Sequence, residues 1–463
     1  MEGNKVKKSN EYYLKEAPVN KAIRHLSVPM MLGMSVGSLY TLLNAYFIGL
    51  LHNTAMLTAI TLGLPLFIIL MAVGNLYGVG GGTFITRLIA KGQDTEAKQV
   101  ASHVVYASVI MGLVIGVLAV IFINPILTIL GTTADTVMYT RVYTITTFLT
   151  GFTIVLNFTL EQVVRAEGAS KVSMNGMIIS ALVSLALDPL LILGLNLHVM
   201  GAALGVAVAN FVSAVYYIYY LQKRSEHLRG FFKSWRLSWA KQWEIYKVGT
   251  AELFQAAFMI VTTLLLNHYA LSYRESVVAG FGVALRIVQL PEFLAMGIFL
   301  GCMPLIAYSL AAGNMKRFRT TFKHALIAII TIGVLFLSSV YVFRAPIMHL
   351  FTQDPAVFEI GTYIIVAMLV SALFNGVAGL LMTIFQAAGE GVPTTVLAVL
   401  QGVLFIPILF VSHHYFGLHG IVWAMTITET ITCLVGLLFY MKFSKKLKRN
   451  EKNKMLIENE VAL

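Results

Sequence analysis

The sequence LLNAY at residues 42–46 returns as LLNHY at residues 265–269, 223 residues later in a chain of 463. Other landmarks recur in the same order: Gly80 and Gly92 as Gly301 and Gly313, Glu167-Gly168 as Glu390-Gly391, and Pro189 and Gly201 as Pro407 and Gly420. Collinear matches across a whole half indicate an internal duplication.

The composition places both copies in a membrane. The chain is 58% hydrophobic and 12% charged, whereas soluble domains are roughly 45 to 50% apolar and about 25% charged. Long apolar stretches recur from about residue 26 to about 443, and each crossing needs about 20 such residues. This predicts an all-α polytopic membrane protein whose twelve transmembrane helices form two pseudo-symmetric six-helix lobes. Because six is even, both copies have the same orientation and the substrate path lies between them.

The charges predict the domain boundaries and the orientation. We expect an N-terminal lobe at 1–222, a basic cytoplasmic linker at 223–242, a C-terminal lobe at 243–445 and a cytoplasmic tail at 446–463. Lysines and arginines crowd one side, the exceptions being Arg141, Arg274, Arg286 and Arg344. By the positive-inside rule this predicts both termini in the cytoplasm of a bacterial inner membrane. The net charge of +12 then needs no nucleic-acid partner.

Several chemistries find no support in the sequence. Cys302 and Cys433 each lie in an apolar run, which favours neither a disulfide nor a cysteine metal site. The glycine-rich run at 74–82 lacks the preceding strand of a phosphate-binding loop and predicts close helix packing instead. No Walker or HExxH sequence occurs, and His413-His414 has no other ligand nearby. We expect a protein that is not an enzyme and has no cofactor.

Asp188 is the most informative embedded charge. It lies mid-span in SALVSLALDPLLILGL, on one helical face with Ser180 and Ser184. The following Pro189 removes an amide donor and frees the carbonyl of Leu185, which predicts a kink. A carboxylate and an unpaired carbonyl at one depth form a site for a proton or a sodium ion. The alternative is that the carboxylate is hydrogen-bonded only to stabilise the kink.

The fourth span carries a polar stripe. Its members, at spacings of four, three, four and four residues, are Thr146, Thr150, Thr153, Asn157 and Glu161. Such a stripe must line water or protein. With Asn210 of the sixth span it predicts a polar pocket in the N-terminal half, although Glu161 and Arg165 also fit an interfacial ion pair.

The C-terminal half has its own embedded charges, Glu252, Arg286, Glu292 and Glu429. Arg286 and Glu292 are six residues apart and do not share a helical face. The repeat aligns Asp188 with Ile406, which places ion coupling in the N-terminal half. The negative interior favours small organic cations as ligands, in a cavity to which we assign Thr150, Thr153, Asn210, Asn267, Arg286 and Glu292.

Motifs along nearly the whole chain resemble one transporter family. They are SVPMM (27–31), LLNAYFIG (42–49), GNLYGVGGGTFITRLIA (74–90), LEQVVRAEGA (160–169), LDPLLILG (187–194), GAALGVAVAN (201–210), LRIVQLPEFLAMG (285–297) and FQAAGEG (385–391). Together they resemble the multidrug and toxic compound extrusion (MATE) exporters, especially their DinF-like branch.

The resemblance implies two lobes in a V around a cavity that opens alternately to each side. It also implies that an inward flow of protons or sodium drives export of dyes and drugs by a chain that functions as a monomer. The family's ion-linked aspartate matches Asp188, and the acidic residue of its fourth helix matches Glu161. Many relatives have an aspartate fifteen residues after a first-helix proline, where this chain has Asn44. An amide carries no proton, but its oxygen can ligate sodium. We therefore assign ion coupling to Asp188, Glu161, Asn44, Asn157 and Ser184, with sodium or a proton at Asp188.

Three other classes of membrane protein share some of these features. A lipid-linked oligosaccharide flippase shares the lobed architecture, but we expect a more cationic cavity for pyrophosphate. A membrane-embedded enzyme needs a nucleophile, a base and an orienting group, which no motif supplies. A major-facilitator transporter has a loop signature between its second and third spans that residues 87–98 do not match.

Overall fold

The computed structural model describes residues 9–49, 53–233 and 237–461, without the side chains of residues 38–46, 48 and 454–461. The helices of the first half are α1 (Asn10–Lys15), α2 (Val19–Gly49), α3 (Thr54–Ala90), α4 (Asp94–Ile121), α5 (Ile123–Ile129), α6 (Val137–Leu149), α7 (Gly151–Ala166), α8 (Ser170–Pro189) and α9 (His198–Lys223). Those of the second half are α10 (Trp239–Leu271), α11 (Glu275–Ala311), α12 (Met315–Phe351), α13 (Pro355–Ala388), α14 (Gly391–Val403) and α15 (Phe405–Val461).

Local signals explain where several helices begin. Asn53 and Asn314 accept hydrogen bonds from backbone amides in the first turns of α3 and α12. Asp354 does the same for α13, and Pro355 occupies its first position, where a missing N–H costs nothing. Polar caps between apolar runs therefore divide the chain into its crossings.

The described helices give twelve crossings, six in each half. Nine segments are individually long and apolar enough to cross, and α6 and α7, bent by 48°, together make a further crossing. The helix α2 adds another, with 31 residues. The segment Gly391–Asn453 has 63 residues, about twice the length that one bilayer needs. It reverses at Gly417, whose φ of 55° breaks α15, so it supplies two crossings.

The buried apolar side chains form separate cores in the two halves. One cluster is built almost wholly from α1 to α9, and two others come mainly from α10 to α15. The predicted boundaries at 222 and 242 remain a prediction, but α9 ends at Lys223 and α10 begins at Trp239. The segment 446–463, predicted as a tail, continues α15 as a helix to Val461.

The two lobes contact each other at the end of the molecule that carries the connection between α9 and α10, which we call the basic end. There α2 packs on α11 and α3 on α10. The Ser27 hydroxyl donates to the carbonyl of Ile298 at 3.2 Å, and Lys241 pairs with Glu96 at 2.9 Å. These contacts join the lobes by polar as well as apolar groups.

The glycine-rich stretch of α3 acts in packing, as predicted. A Cβ atom on Gly80 would overlap the backbone carbonyl of Ile245 in the other lobe, and one on Gly81 would press on Val104 of α4. Close backbone approach to two different helices therefore explains the run.

Candidate functional site

Asp188 lies in the last turn of α8 and is fully buried. After Pro189 the chain continues as a wider π-helical turn, Leu190–Gly194, in which Leu195 N–H donates to the Leu190 carbonyl at 2.8 Å. A kink was predicted at Pro189, and the structure has a change from α-helical to π-helical hydrogen bonding directly after it. Turns of this kind often mark functional sites within helices.

Two neighbouring helices complete the surroundings of Asp188. A Cβ atom on Gly205 of α9 would overlap its Oδ1 atom, so the carboxylate packs against the α9 backbone. Tyr143 of α6 is buried and lies within electrostatic range of the carboxylate. Ser184, one turn earlier in α8, is also buried. Asn44 is in α2, but its side chain lies outside the described residues.

A second polar contact joins α7 to α9. The Asn157 side chain donates from Nδ2 to Oδ1 of Asn210 at 2.9 Å, and Asn210 donates in turn to the carbonyl of Val206 at 2.8 Å. Both asparagines are buried. Two residues assigned from sequence to different groups, ion coupling and substrate cavity, thus form one contact.

The threonine stripe runs over two helices and not over one continuous helix. The span bends where α6 meets α7, at Thr150. Thr150 donates its hydroxyl hydrogen to the Thr146 carbonyl at 2.7 Å, and Thr153 donates to the Thr150 carbonyl at 2.8 Å. These hydroxyls therefore serve their own helix backbone at the bend, which sequence spacing alone did not indicate.

Glu161 pairs with Arg165, one turn later in α7, at 3.4 Å. Both residues are buried, Glu161 with 5% and Arg165 with 2% of its surface exposed, so the pair lies inside the protein. Arg165 also lies within electrostatic range of Glu252 in α10, and Gln386 of α13 donates to Glu252 at 2.8 Å. Charged side chains of the two lobes therefore lie close together between α7 and α10.

The other C-terminal candidates occupy α10, α11 and α15. Gln401 donates to Glu429 at 3.2 Å, and Asn375 hydrogen-bonds to Glu292. The carboxylates of Glu292 and Glu429 are close enough to interact electrostatically. Arg286 and Asn267 are exposed on α11 and α10.

Sequence reasoning missed several partners of these residues. Tyr143 and Gly205 beside Asp188 were not singled out, because a tyrosine and a glycine are common in apolar helices. The amides that satisfy the C-terminal carboxylates, Asn375, Gln386 and Gln401, carried a usable signal. Asn375 and Gln386 lie in the apolar helix α13 and Gln401 lies in α14, where a polar side chain needs a partner.

Outside the spans, Glu167 follows α7 at the basic end and is buried. Ser225 donates its hydroxyl hydrogen to the Glu167 carboxylate at 2.7 Å. Burial raises the pKa of Glu167 to about 7, although Ser225 and the nearby His227 oppose the shift. Glu167 therefore titrates near neutral pH.

A family model described as MatE matches residues 29–190 and 249–411, one match in each half. The chain belongs to the MatE family. It is 37% identical over 436 residues to the multidrug export protein MepA of Staphylococcus haemolyticus (strain JCSC1435), covering 94% of this chain and 96% of that protein. It is 38% identical over 427 residues to MepA of Staphylococcus aureus (strain NCTC 8325 / PS 47), covering 92% and 94%.

Solved MATE structures share the fold of this MATE chain. A crystal structure of MATE in the straight conformation superposes with a TM-score of 0.89 at 24% identity, covering 96% of this chain and 99% of that one. An outward-facing multidrug resistance MATE family transporter of the MOP superfamily superposes with a TM-score of 0.88 at 24% identity, covering 94% and 98%. These likenesses confirm the twelve-helix, two-lobe fold. With the MepA relatives, the family assignment makes the protein a multi-span multidrug efflux transporter and not an enzyme.

Proposed function

We propose that this transporter exports cationic amphipathic compounds by antiport with protons or sodium, and that its basic end faces the cytoplasm of a bacterial inner membrane. The observation that carries the proposal is the fully buried Asp188 at the π turn of α8. A charged carboxylate embedded in a membrane protein is costly. Binding a proton or a sodium ion removes that cost, so the site has a reason to take up the coupling ion.

The charge of the spans supports a cationic substrate. Glu252, Glu292 and Glu429 are embedded in the C-terminal lobe and have amide partners. Glu161 has Arg165 as its counter-charge. An amide satisfies a carboxylate without neutralising it, so this lobe keeps a negative character that attracts cations.

Coupling follows if the ion and the drug favour opposite arrangements of the lobes. In the present arrangement the lobes contact each other at the basic end, which closes the cytoplasmic side in our orientation. An ion at Asp188 changes the charge between α6, α8 and α9 and thereby biases the choice between the two arrangements. A ligand shifts such an equilibrium only by its difference in affinity for the two states.

The test uses inverted membrane vesicles that contain the protein, with the lumen made either acidic or rich in sodium. We expect one gradient to drive accumulation of ethidium, a permanent cation. Asp188→Asn should lower the accumulation to about a tenth or less of wild type, because a coupling carboxylate is lost.

Asp135→Asn is the matched control, since this aspartate is exposed and lies between α5 and α6. It should transport like wild type. Wild-type vesicles that accumulate no ethidium with either gradient contradict cation antiport. Full accumulation by Asp188→Asn contradicts the role of this carboxylate.

A further inference from the structure

Residues 9–17 at the basic end, which include α1 and which we call the N-terminal strap, touch both lobes. On the N-lobe side, Leu14 is buried and packs against Gly168 after α7. Asn10 donates to the Tyr220 hydroxyl of α9 at 3.2 Å. The strap also leads directly into α2, so it moves with the N-terminal lobe.

The C-terminal lobe contacts the strap through Tyr308 of α11, whose hydroxyl donates to Glu11 at 3.5 Å, and through Arg317 in the first turn of α12. Its guanidinium donates from Nη2 to the carbonyl of Tyr13 at 2.8 Å, from Nε to that of Leu14 at 2.9 Å and from Nη1 to that of Ala17 at 2.6 Å. These carbonyls lie at and just after the end of α1, where helical carbonyls lack intrahelical partners. A positive charge is favoured at such an end.

The Arg317 clamp is well defined geometrically. Asn314 caps α12 by accepting a hydrogen bond from the Arg317 N–H at 3.0 Å, which fixes where the side chain starts. Arg317 itself is 9% exposed, so its hydrogen bonds are shielded from water. A lysine carries one compact ammonium and cannot reproduce a planar fork to three carbonyls.

We propose that Arg317 is a positioning residue for transport: through the N-terminal strap it fastens the basic ends of the two lobes, and it must release the strap whenever that end opens. The inference rests on the proposed alternation between two lobe arrangements. It assigns no contact with ion or drug to Arg317.

The chain contains a reporter for this opening. Cys302 of α11 is fully buried, and its Sγ lies 3.5 Å from the Ser27 hydroxyl of α2. Separation of the lobes at the basic end uncovers this thiol. In a Cys433→Ala background it is the single cysteine, so a water-soluble maleimide applied to the basic end reports opening.

The experiment compares maleimide labelling rates in that background, without gradient or drug. Arg317→Met keeps the apolar stem and removes the three hydrogen bonds, so labelling should become about tenfold faster or more, because bonds from a charged donor are the strong class. The labelling rate of Arg317→Lys should lie between the rates of wild type and Arg317→Met. Deleting residues 2–17 should accelerate labelling at least as much, and adding Arg317→Met to the deletion should add nothing.

Arg319→Met is the matched control. Arg319 lies two residues further along α12 and pairs with Glu451 of the same lobe at 2.6 Å, so labelling should change less than about twofold, as for exposed pairs. Wild-type labelling in Arg317→Met or in the deletion overturns the proposal, and equal acceleration by Arg319→Met does so too. Ethidium accumulation tests antiport separately, so the failure of one proposal does not decide the other.

Discussion

The carboxylate of Asp188 reaches the backbone of α9 because residue 205 is glycine. A methyl group at this position would overlap Oδ1, so Gly205→Ala should push the carboxylate out of its place. We expect ethidium accumulation to fall about tenfold or more, since displacements near 1 Å at a functional group have large effects. Expression and thermal stability should stay close to wild type, because the clash involves a side-chain end and not a backbone atom.

Gly194→Ala serves as the comparison for Gly205→Ala. A Cβ atom on this glycine of the π turn would be 3.5 Å from the nearest atom, a Leu190 methyl carbon, which is ordinary van der Waals contact. The Gly194→Ala variant should accumulate ethidium at the wild-type rate. If Gly205→Ala also transports at the wild-type rate, the position of the carboxylate is not critical.

Glu167 gives the protein a pH dependence near neutrality. Burial raises its pKa to about 7 from the ordinary value of 4.5, so the folded protein holds a proton there that the unfolded chain has released. The stabilisation is fully present below pH 4.5 and is lost as the pH rises through about 7. In detergent, the midpoint of thermal unfolding should therefore fall by a few degrees between pH 5 and pH 8.

Glu167→Gln isolates this contribution, because glutamine stays neutral and can still accept from Ser225. Its unfolding midpoint should change less over the same pH range than that of wild type. Equal slopes for the two proteins would mean that other groups cause the pH dependence.

At the scale of the helix, α3 contacts two partners through adjacent glycines. Gly80 faces the backbone of α10 in the other lobe, whereas Gly81 faces a valine side chain of α4 in its own lobe. Gly80→Ala should therefore force the lobes apart at the basic end and accelerate labelling of Cys302. Gly81→Ala should change the labelling rate little, because a side chain yields more readily than a backbone carbonyl. Equal rates for the two variants would show that α3 and α10 tolerate separation without opening the basic end.

The helices themselves follow from the sequence, as does the irregular turn after Pro189, whereas the bend between α6 and α7 was not predicted. Apolar runs of about 20 residues and polar caps such as Asn53 and Asp354 define the crossings. Pro189 signalled its break because a proline lacks the N–H that a helix needs. The bend at Thr150 has no proline, and there the Thr150 and Thr153 hydroxyls donate to helix carbonyls, which often bends helices. Tertiary contacts decided which polar residues meet: nothing in the spacing of Asn157 and Asn210 indicates their hydrogen bond.

At the scale of the whole molecule, the duplicated lobes differ in the chemistry that they contribute. The N-terminal lobe has a buried aspartate at a π turn, and the aligned position in the other lobe is Ile406. The C-terminal lobe has glutamates satisfied by amides. Duplication therefore preserved the helix arrangement while the embedded charges diverged. Such an asymmetry fits one lobe that binds the coupling ion and another that attracts the cationic cargo.

If the lobes must separate at the basic end during transport, a covalent link there should stop the cycle. The Ser27 hydroxyl and the Cys302 thiol are 3.5 Å apart across the lobe contact, so Ser27→Cys brings two sulfur atoms near bonding range. In a Cys433→Ala background, oxidation of this variant should form the link and abolish ethidium accumulation, and a reductant should restore it. In the parent protein, whose single cysteine is Cys302, the oxidant should not change ethidium accumulation. Complete cross-linking with undiminished transport would contradict separation of the lobes at this end, whatever the coupling ion.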